Sequence, residues 1–170
     1  MISQIKIYSR QEIKDHIECW MFKSLTNCVV ISIIDNPKYV LMTKDLINNT
    51  GCEDCISLDF YDLTLSDQSS KKMFSKRQAK QIIQFLDKHS KTPENLTLIV
   101  HCNAGICRSG AVGLFACRYL KLDETDFLNS NHFIYPNTYV LNMLEEVSGM
   151  KKTTFEEYNK LFGNYEMWKL

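Results

Sequence analysis

Apolar residues recur along this chain with two periods. Three short apolar runs, CVVISII at 28–34, CISLDFY at 55–61 and LTLIV at 96–100, are too brief for helices and rich in β-branched side chains. They predict strands, and the first and last are too apolar to face water on either side. IKIY at 5–8 alternates and predicts a fourth, shorter strand. Between these runs the spacing changes to that of a helix. Ser9-Arg10-Gln11-Glu12 and Ser75-Lys76-Arg77-Gln78 are capping boxes. They predict helices from Arg10 to about Cys19 and from Lys76 to His89, the second with Ile82, Ile83, Phe85 and Leu86 on its inner stripe. Small apolar residues at 110–119 predict a buried helix. Asp123 caps a short one at 124–128. Pro136 opens another, with Tyr139, Val140, Met143, Leu144 and Val147 on one face and Gly149 ending it. Thr153 or Thr154 caps the last, at 155–162, and a helical turn is expected within 40–48. Strands alternating with helices predict an α/β fold. Its central, mostly parallel sheet of four to five strands is flanked by helices, and its functional site lies off the carboxyl ends of the strands.

Composition changes this picture little but excludes several classes. At 170 residues the chain is read as one domain, 1–170. Lys plus Arg equals Asp plus Glu at 20 each, so no global field draws in nucleic acid or an anionic membrane. No apolar run reaches membrane-spanning length, and MISQIKIYSRQE lacks the apolar centre of a signal peptide. The 7 cysteines are an odd count at irregular spacing, which suits reduced thiols and a cytoplasmic location. Cys19, Cys28 and Cys117 read as core residues. Cys52-Glu53-Asp54-Cys55 has the spacing of half a zinc site. The remaining ligands are not evident, His16 and Cys19 being a remote pair, so no metal is expected.

The candidate chemistry lies between the strand at 96–100 and the helix at 110–119. There the chain reads His101-Cys102-Asn103-Ala104-Gly105-Ile106-Cys107-Arg108-Ser109. A loop entering a helix leaves backbone N–H groups unpaired, and the helix dipole adds positive potential at the same spot. Gly105 lets the backbone gather those amides around an anion. Arg108 can close its planar fork on two oxygens at once. In the same potential Cys102 is favoured as a thiolate nucleophile. Together these residues imply displacement at phosphorus through a cysteinyl-phosphate intermediate. A buried structural cysteine beside an ion-paired arginine is the plainer reading, and it accounts for none of the spacing.

HCNAGICRSG resembles the His-Cys-x5-Arg-Ser/Thr signature of the cysteine-dependent protein tyrosine and dual-specificity phosphatases. The resemblance implies a dual-specificity-like fold with Cys102 as nucleophile. It also implies phosphate binding by the amides of Asn103, Ala104, Gly105, Ile106, Cys107 and Arg108 and by the Arg108 side chain. His101 would orient the loop and support the thiolate without transferring protons. Ser109 would donate to the departing sulfur, although a hydroxyl bonded back into its helix is an equal alternative. A carboxylic acid must protonate the leaving group. Asp62, just past the third strand, and Asp67 are the candidates, while Asp59 lies within the strand. Phe60-Tyr61-Asp62-Leu63 resembles an aromatic-x-Asp-Ile/Val element of small phosphatases and favours Asp62. The usual dual-specificity spacing favours Asp67, and either residue could simply make an Asx-turn.

Pro136-Asn137 resembles a Pro-Asn element of the same enzymes, extending the likeness over residues 55–147. The first fifty residues agree only in the order of elements. The implied substrate is a phosphorylated protein or peptide, phosphotyrosine first and phosphoserine or phosphothreonine as the wider class. No cofactor or metal is implied, and a monomer is expected. The rival readings are a phosphoinositide or RNA 5′-triphosphate phosphatase, a sulfurtransferase, and a phosphate-binding module without turnover. The uncharged stretch 103–107 argues against highly charged substrates. Cys102-x4-Cys107-Arg108-Ser109 also resembles the low-molecular-weight tyrosine phosphatases, whose loop cysteines form a reversible disulfide. Whether Cys107 does so here or merely replaces a serine stays open at this point.

Overall fold

The β-branched runs become strands, and all of them point the same way. In this computed structural model, which describes residues 1–18, 25–35, 50–64 and 71–163, the strands are β1 (Ile2–Tyr8), β2 (Cys28–Ile34), β3 (Asp54–Asp59) and β4 (Leu96–His101). They form a parallel sheet in the order β1-β4-β2-β3. The most apolar strands, β2 and β4, take the centre, where both faces are covered. Alternation then sorts their side chains. Val29, Ile31, Ile33, Leu98 and Val100 enter the larger core, and Val30 and Ile99 enter a smaller one on the opposite face.

Helices cover both faces. Helix α1 (Arg10–Glu18) puts Ile13 into the smaller core. The larger core is closed by α2 (Lys76–Ser90), α3 (Arg108–Tyr119), α4 (Glu124–Ser130), α5 (Thr138–Ser148) and α6 (Phe155–Phe162). Phe115, Leu114 and Val112 of α3 are wholly buried, as are Ile82 and Leu86 of α2 and Leu144 of α5. Among the described residues no helix is long and apolar enough to cross a membrane.

Local signals set most boundaries. The capping box at Ser9 closes at both ends, Ser9 N–H donating to Glu12 at 2.7 Å and Glu12 N–H to Ser9 Oγ at 3.2 Å. Ser75 with Gln78, and Thr154 with Glu157, do the same for α2 and α6. Other expectations needed adjustment. β3 begins at Asp54 and ends at Asp59, short of Tyr61, because Tyr61 N–H turns away to the carbonyl of Lys72. Pro136 precedes α5 instead of opening it. Asn137 is the cap, its carboxamide oxygen accepting from Val140 N–H. The helical turn within 40–48, Cys19 and Asp67 lie outside the described residues.

Because the sheet is parallel, Tyr8, Ile34, Asp59 and His101 end along one edge. Every loop leaving that edge opens on the same side of the molecule.

Candidate active site

The loop after β4 is built around Cys102, which is 2% exposed. Its Sγ lies 3.1 Å from Ser109 Oγ and accepts the amide N–H of Gly105 at 3.3 Å. Attack by sulfur requires a thiolate, and these two groups with the start of α3 bring partial positive charge to it. Gly105 has φ +75°. A Cβ there would stand 2.7–2.9 Å from Ser9 N and from C and O of Tyr8. Only glycine permits both the conformation and the close approach of loop to β1. Arg10 N–H adds a tie to the carbonyl of Asn103 at 3.1 Å.

Of the six described helices, five receive a side-chain cap, from Ser9, Ser75, Asp123, Asn137 and Thr154. Helix α3 does not. Its N-cap, Cys107, is in the αR conformation and makes no side-chain bond to the helix. The first N–H groups of α3 are therefore without a side-chain acceptor, at the positive end of the dipole.

Arg108 is 5% exposed. Its Nη1 donates to the carbonyl of Phe60 at 2.9 Å and its Nη2 to Asp35 Oδ2 at 3.3 Å, while Nε is buried without a partner. Asp35 directly follows β2. An acid at the carboxyl end of a central parallel strand was the available signal. His101 is 5% exposed with Nδ1 unpartnered. Burial first, with the nearby charge of Arg10, pushes its imidazole down to about 4, so it is neutral near pH 7.

Asp62 is exposed, on a bend three residues past β3. Asn137 Nδ2 donates to its Oδ1 at 2.7 Å. Burial, together with the nearby charge of Asp62, pushes the Cys107 thiol up to about 12. Cys107 is thus a protonated thiol at neutral pH. The structure brings Cys102, Arg108, Ser109, His101 and Asp62 together around one loop, whereas Asp59 pairs with Lys72 at 3.0 Å on the surface.

The other described cysteines have their partners outside this loop. The thiol of Cys52 donates to the carbonyls of Asp54 at 3.1 Å and Cys28 at 3.4 Å, and burial pushes it up to about 12. His16 stacks on Tyr8 with ring centroids 5.2 Å apart. Cys117 is buried and Cys28 half-buried. Among the described residues no three His, Cys, Asp or Glu side chains converge as metal ligands would.

No protein-family model matches the chain, and no curated protein matches it. Solved structures do. The PTP-2 phosphatase of Cydia pomonella is similar over 84% of both chains, with a TM-score of 0.54 and 14% identity. PTPMT1 in complex with PI(5)P is similar over 86% of this chain and 90% of that one, with a TM-score of 0.50 and 11% identity. This chain therefore shares the fold of these two structures.

Proposed function

We propose that the protein is a cysteine-dependent phosphatase hydrolysing phosphate monoesters, with phosphotyrosine as the first class and phosphoserine or phosphothreonine as the wider one. One observation carries the reading. A buried cysteine lies beside the uncapped start of α3, next to an arginine whose Nε has no protein partner. The arrangement is a seat for a tetrahedral oxyanion.

In the first step Cys102 Sγ attacks phosphorus and the bond to the leaving oxygen breaks. Asp62 gives its proton to that oxygen. The loop amides and Arg108 hold the equatorial oxygens, where charge spreads in the transition state. In the second step Asp62 takes a proton from water, the water oxygen bonds to phosphorus, and the S–P bond breaks. Ser109 Oγ, 3.1 Å from the sulfur, donates to it as it leaves. His101, neutral and buried, is a positioning residue for the loop.

A phosphoinositide remains the rival substrate, since PTPMT1 was solved with one. The loop residues 103–107 carry no charged side chain to meet extra phosphates, which favours the singly phosphorylated ester. Hydrolysis of an aryl phosphate, compared with release of phosphate from a phosphoinositide, tests the reading with Cys102→Ser as control. Wild-type turnover of the aryl ester that vanishes in Cys102→Ser is the expected result. Turnover that survives Cys102→Ser, or none in the wild type, would overturn it.

A further inference from the structure

The 20 basic and 20 acidic side chains of the chain balance, yet they are unevenly placed. Over 71–91 seven cations, from Lys71 to Lys91, stand against one acid, Asp87, so the rest of the chain carries the compensating excess of acid. Most of that positive charge lies on α2. The inner stripe of this helix is buried, and its exposed outer face presents Lys76, Arg77, Lys80 and Lys88, with Gln81 and Gln84 between them.

Folding does not favour this arrangement. Cations in the first turn of a helix meet the positive end of its dipole, and like charges three or four residues apart repel. Helices α1, α4 and α6 obey that rule, with Glu12, with Glu124 and Asp126, and with Glu156 and Glu157 in their first turns. Among the described helices only α2 and α3 have a cation in the first turn and no acid. In α3 the cation is Arg108, which the phosphatase reading gives to the substrate phosphate. Local rules broken in this way are expected where function needs the residue.

The basic face begins at the mouth of the active site. Gln78 Nε2 donates to the carbonyl of Asp59 at 2.9 Å, which fixes the first turn of α2 at the end of β3. Lys71 Nζ lies 4.8 Å from the centre of the Tyr61 ring, and Tyr61 adjoins Asp62. Lys72 and Lys76 are ion-paired with Asp59 and Glu146, whereas Arg77 and Lys80 have no carboxylate partner among the described residues. The phosphate loop at 103–107 has no charged side chain, so discrimination by charge around the phosphate ester falls to this rim. A lipid surface suits the face less well than a protein. Helices that lie on membranes carry apolar anchors, and the exposed large hydrophobic residues described, Met1, Phe155 and Leu161, are all elsewhere.

Resting on the phosphatase reading, we propose that the outer face of α2, centred on Arg77 and Lys80, is a docking surface for acidic residues flanking the phosphorylated residue of a protein substrate. The phosphate loop then recognises the ester, and α2 recognises the chain that carries it.

The double variant Arg77→Glu/Lys80→Glu reverses the charge of the face and leaves the loop untouched. Glutamates suit the start of a helix, so its melting temperature should equal or exceed that of wild type. The probes are two phosphotyrosine peptides of equal length, one with acidic and one with neutral flanking residues. Wild type should favour the acidic peptide at least about 5-fold in kcat/KM at low ionic strength, and less than about 2-fold at about 0.5 M salt, as exposed charges are screened. The double variant should show no preference and keep the wild-type kcat on phenyl phosphate. Equal kcat/KM for the two peptides in wild type at low salt overturns the docking surface and leaves the phosphatase reading intact. A preference that survives in the double variant does the same. Vesicles of phosphatidylserine and phosphatidylcholine that retain wild type but not the double variant would give the face to a lipid surface. A low-salt dimer in sedimentation, lost in the double variant, would give it to a second copy of the chain. Either result overturns the proposal. If wild type hydrolyses neither peptide nor phenyl phosphate, the phosphatase reading fails and the docking surface fails with it.

Discussion

Helix α3 carries an arginine at each end, and the two are built differently. Arg118, in the last turn, is saturated. Its Nε and Nη2 form a fork on Glu124 at 2.8 and 2.9 Å, and its Nη1 reaches Thr153 Oγ1 at 2.7 Å and Glu145 at 3.4 Å. It lies at the negative end of the helix dipole, where a cation is favoured, and the Glu124 hydrogen bond is the leading cause holding its charge more firmly than usual. Arg108, at the first turn, has the opposite surroundings. It places a buried cation at the positive end of the same helix, with one carboxylate at 3.3 Å and its Nε unpartnered. Burying charge with so little compensation is unfavourable. A phosphate dianion would reverse that balance at once. Arg118 is satisfied within the fold, and Arg108 Nε is not.

The largest effect should follow from Arg108→Lys, which keeps the charge and removes the fork. Turnover of an aryl phosphate should drop at least ~10²–10³-fold, the range for losing one transition-state donor. Vanadate should raise the melting temperature of wild type by several degrees and leave that of Arg108→Lys almost unmoved. The variant's own stability should not fall. A clear loss of stability with activity retained would make Arg108 the structural arginine and abolish the contrast.

Arg118→Met is the converse. It leaves Glu145, 1% exposed, buried without its cation, although Thr153 N–H and Oγ1 still donate to it at 2.8 and 2.6 Å. Breaking such a pair costs about 3–5 kcal/mol. Chemical denaturation should report a loss of that order, while the folded fraction keeps its kcat. If the catalytic rate falls with stability unchanged, the two ends are coupled in a way this geometry does not describe.

These contrasts explain what could be read in advance. The strand–loop–helix of residues 96–119 was legible because its determinants are local, namely β-branched runs, a glycine and small helix residues. The capping boxes were legible for the same reason, and so was the parallel sheet, from the alternation of element types. Partners joined only by folding were not. Asp35 is 73 residues from Arg108, and Asn137 is 75 from Asp62. Neither spacing follows a helical or strand period. Asn137 stood out only as part of a Pro-Asn pair resembling one in small phosphatases, and Pro136 hid its role as a cap. Cys107 could be placed in the loop, but the influence of the Asp62 charge on it needed the fold. Asp62 itself was suggested by the likeness of Phe60-Tyr61-Asp62-Leu63 to an element of small phosphatases, and in the fold Phe60 is wholly buried against Phe74.

The smallest effects should come from two glycines, one at each pole. Gly105 in the phosphate loop and Gly149 at the C-cap of α5 share φ +75°, a conformation costing an L-residue roughly 1–2 kcal/mol. Their surroundings are unlike. Around Gly149 a Cβ would find nothing within 4 Å, whereas at Gly105 it would strike the backbone of Tyr8 and Ser9 at 2.7–2.9 Å. Backbone at the end of a strand has little room to give. Gly105→Ala should therefore lose more stability than the conformation alone accounts for, and activity with it, as the loop is pushed off β1. Gly149→Ala lies beside Glu145, at the pole that Arg118 completes. It should lose only the conformational 1–2 kcal/mol and hydrolyse aryl phosphate at the wild-type rate. Equal losses in the two variants would mean that the loop is no more tightly fitted than an ordinary helix end. Its amides would then be free to move, and the oxyanion seat would not be preformed.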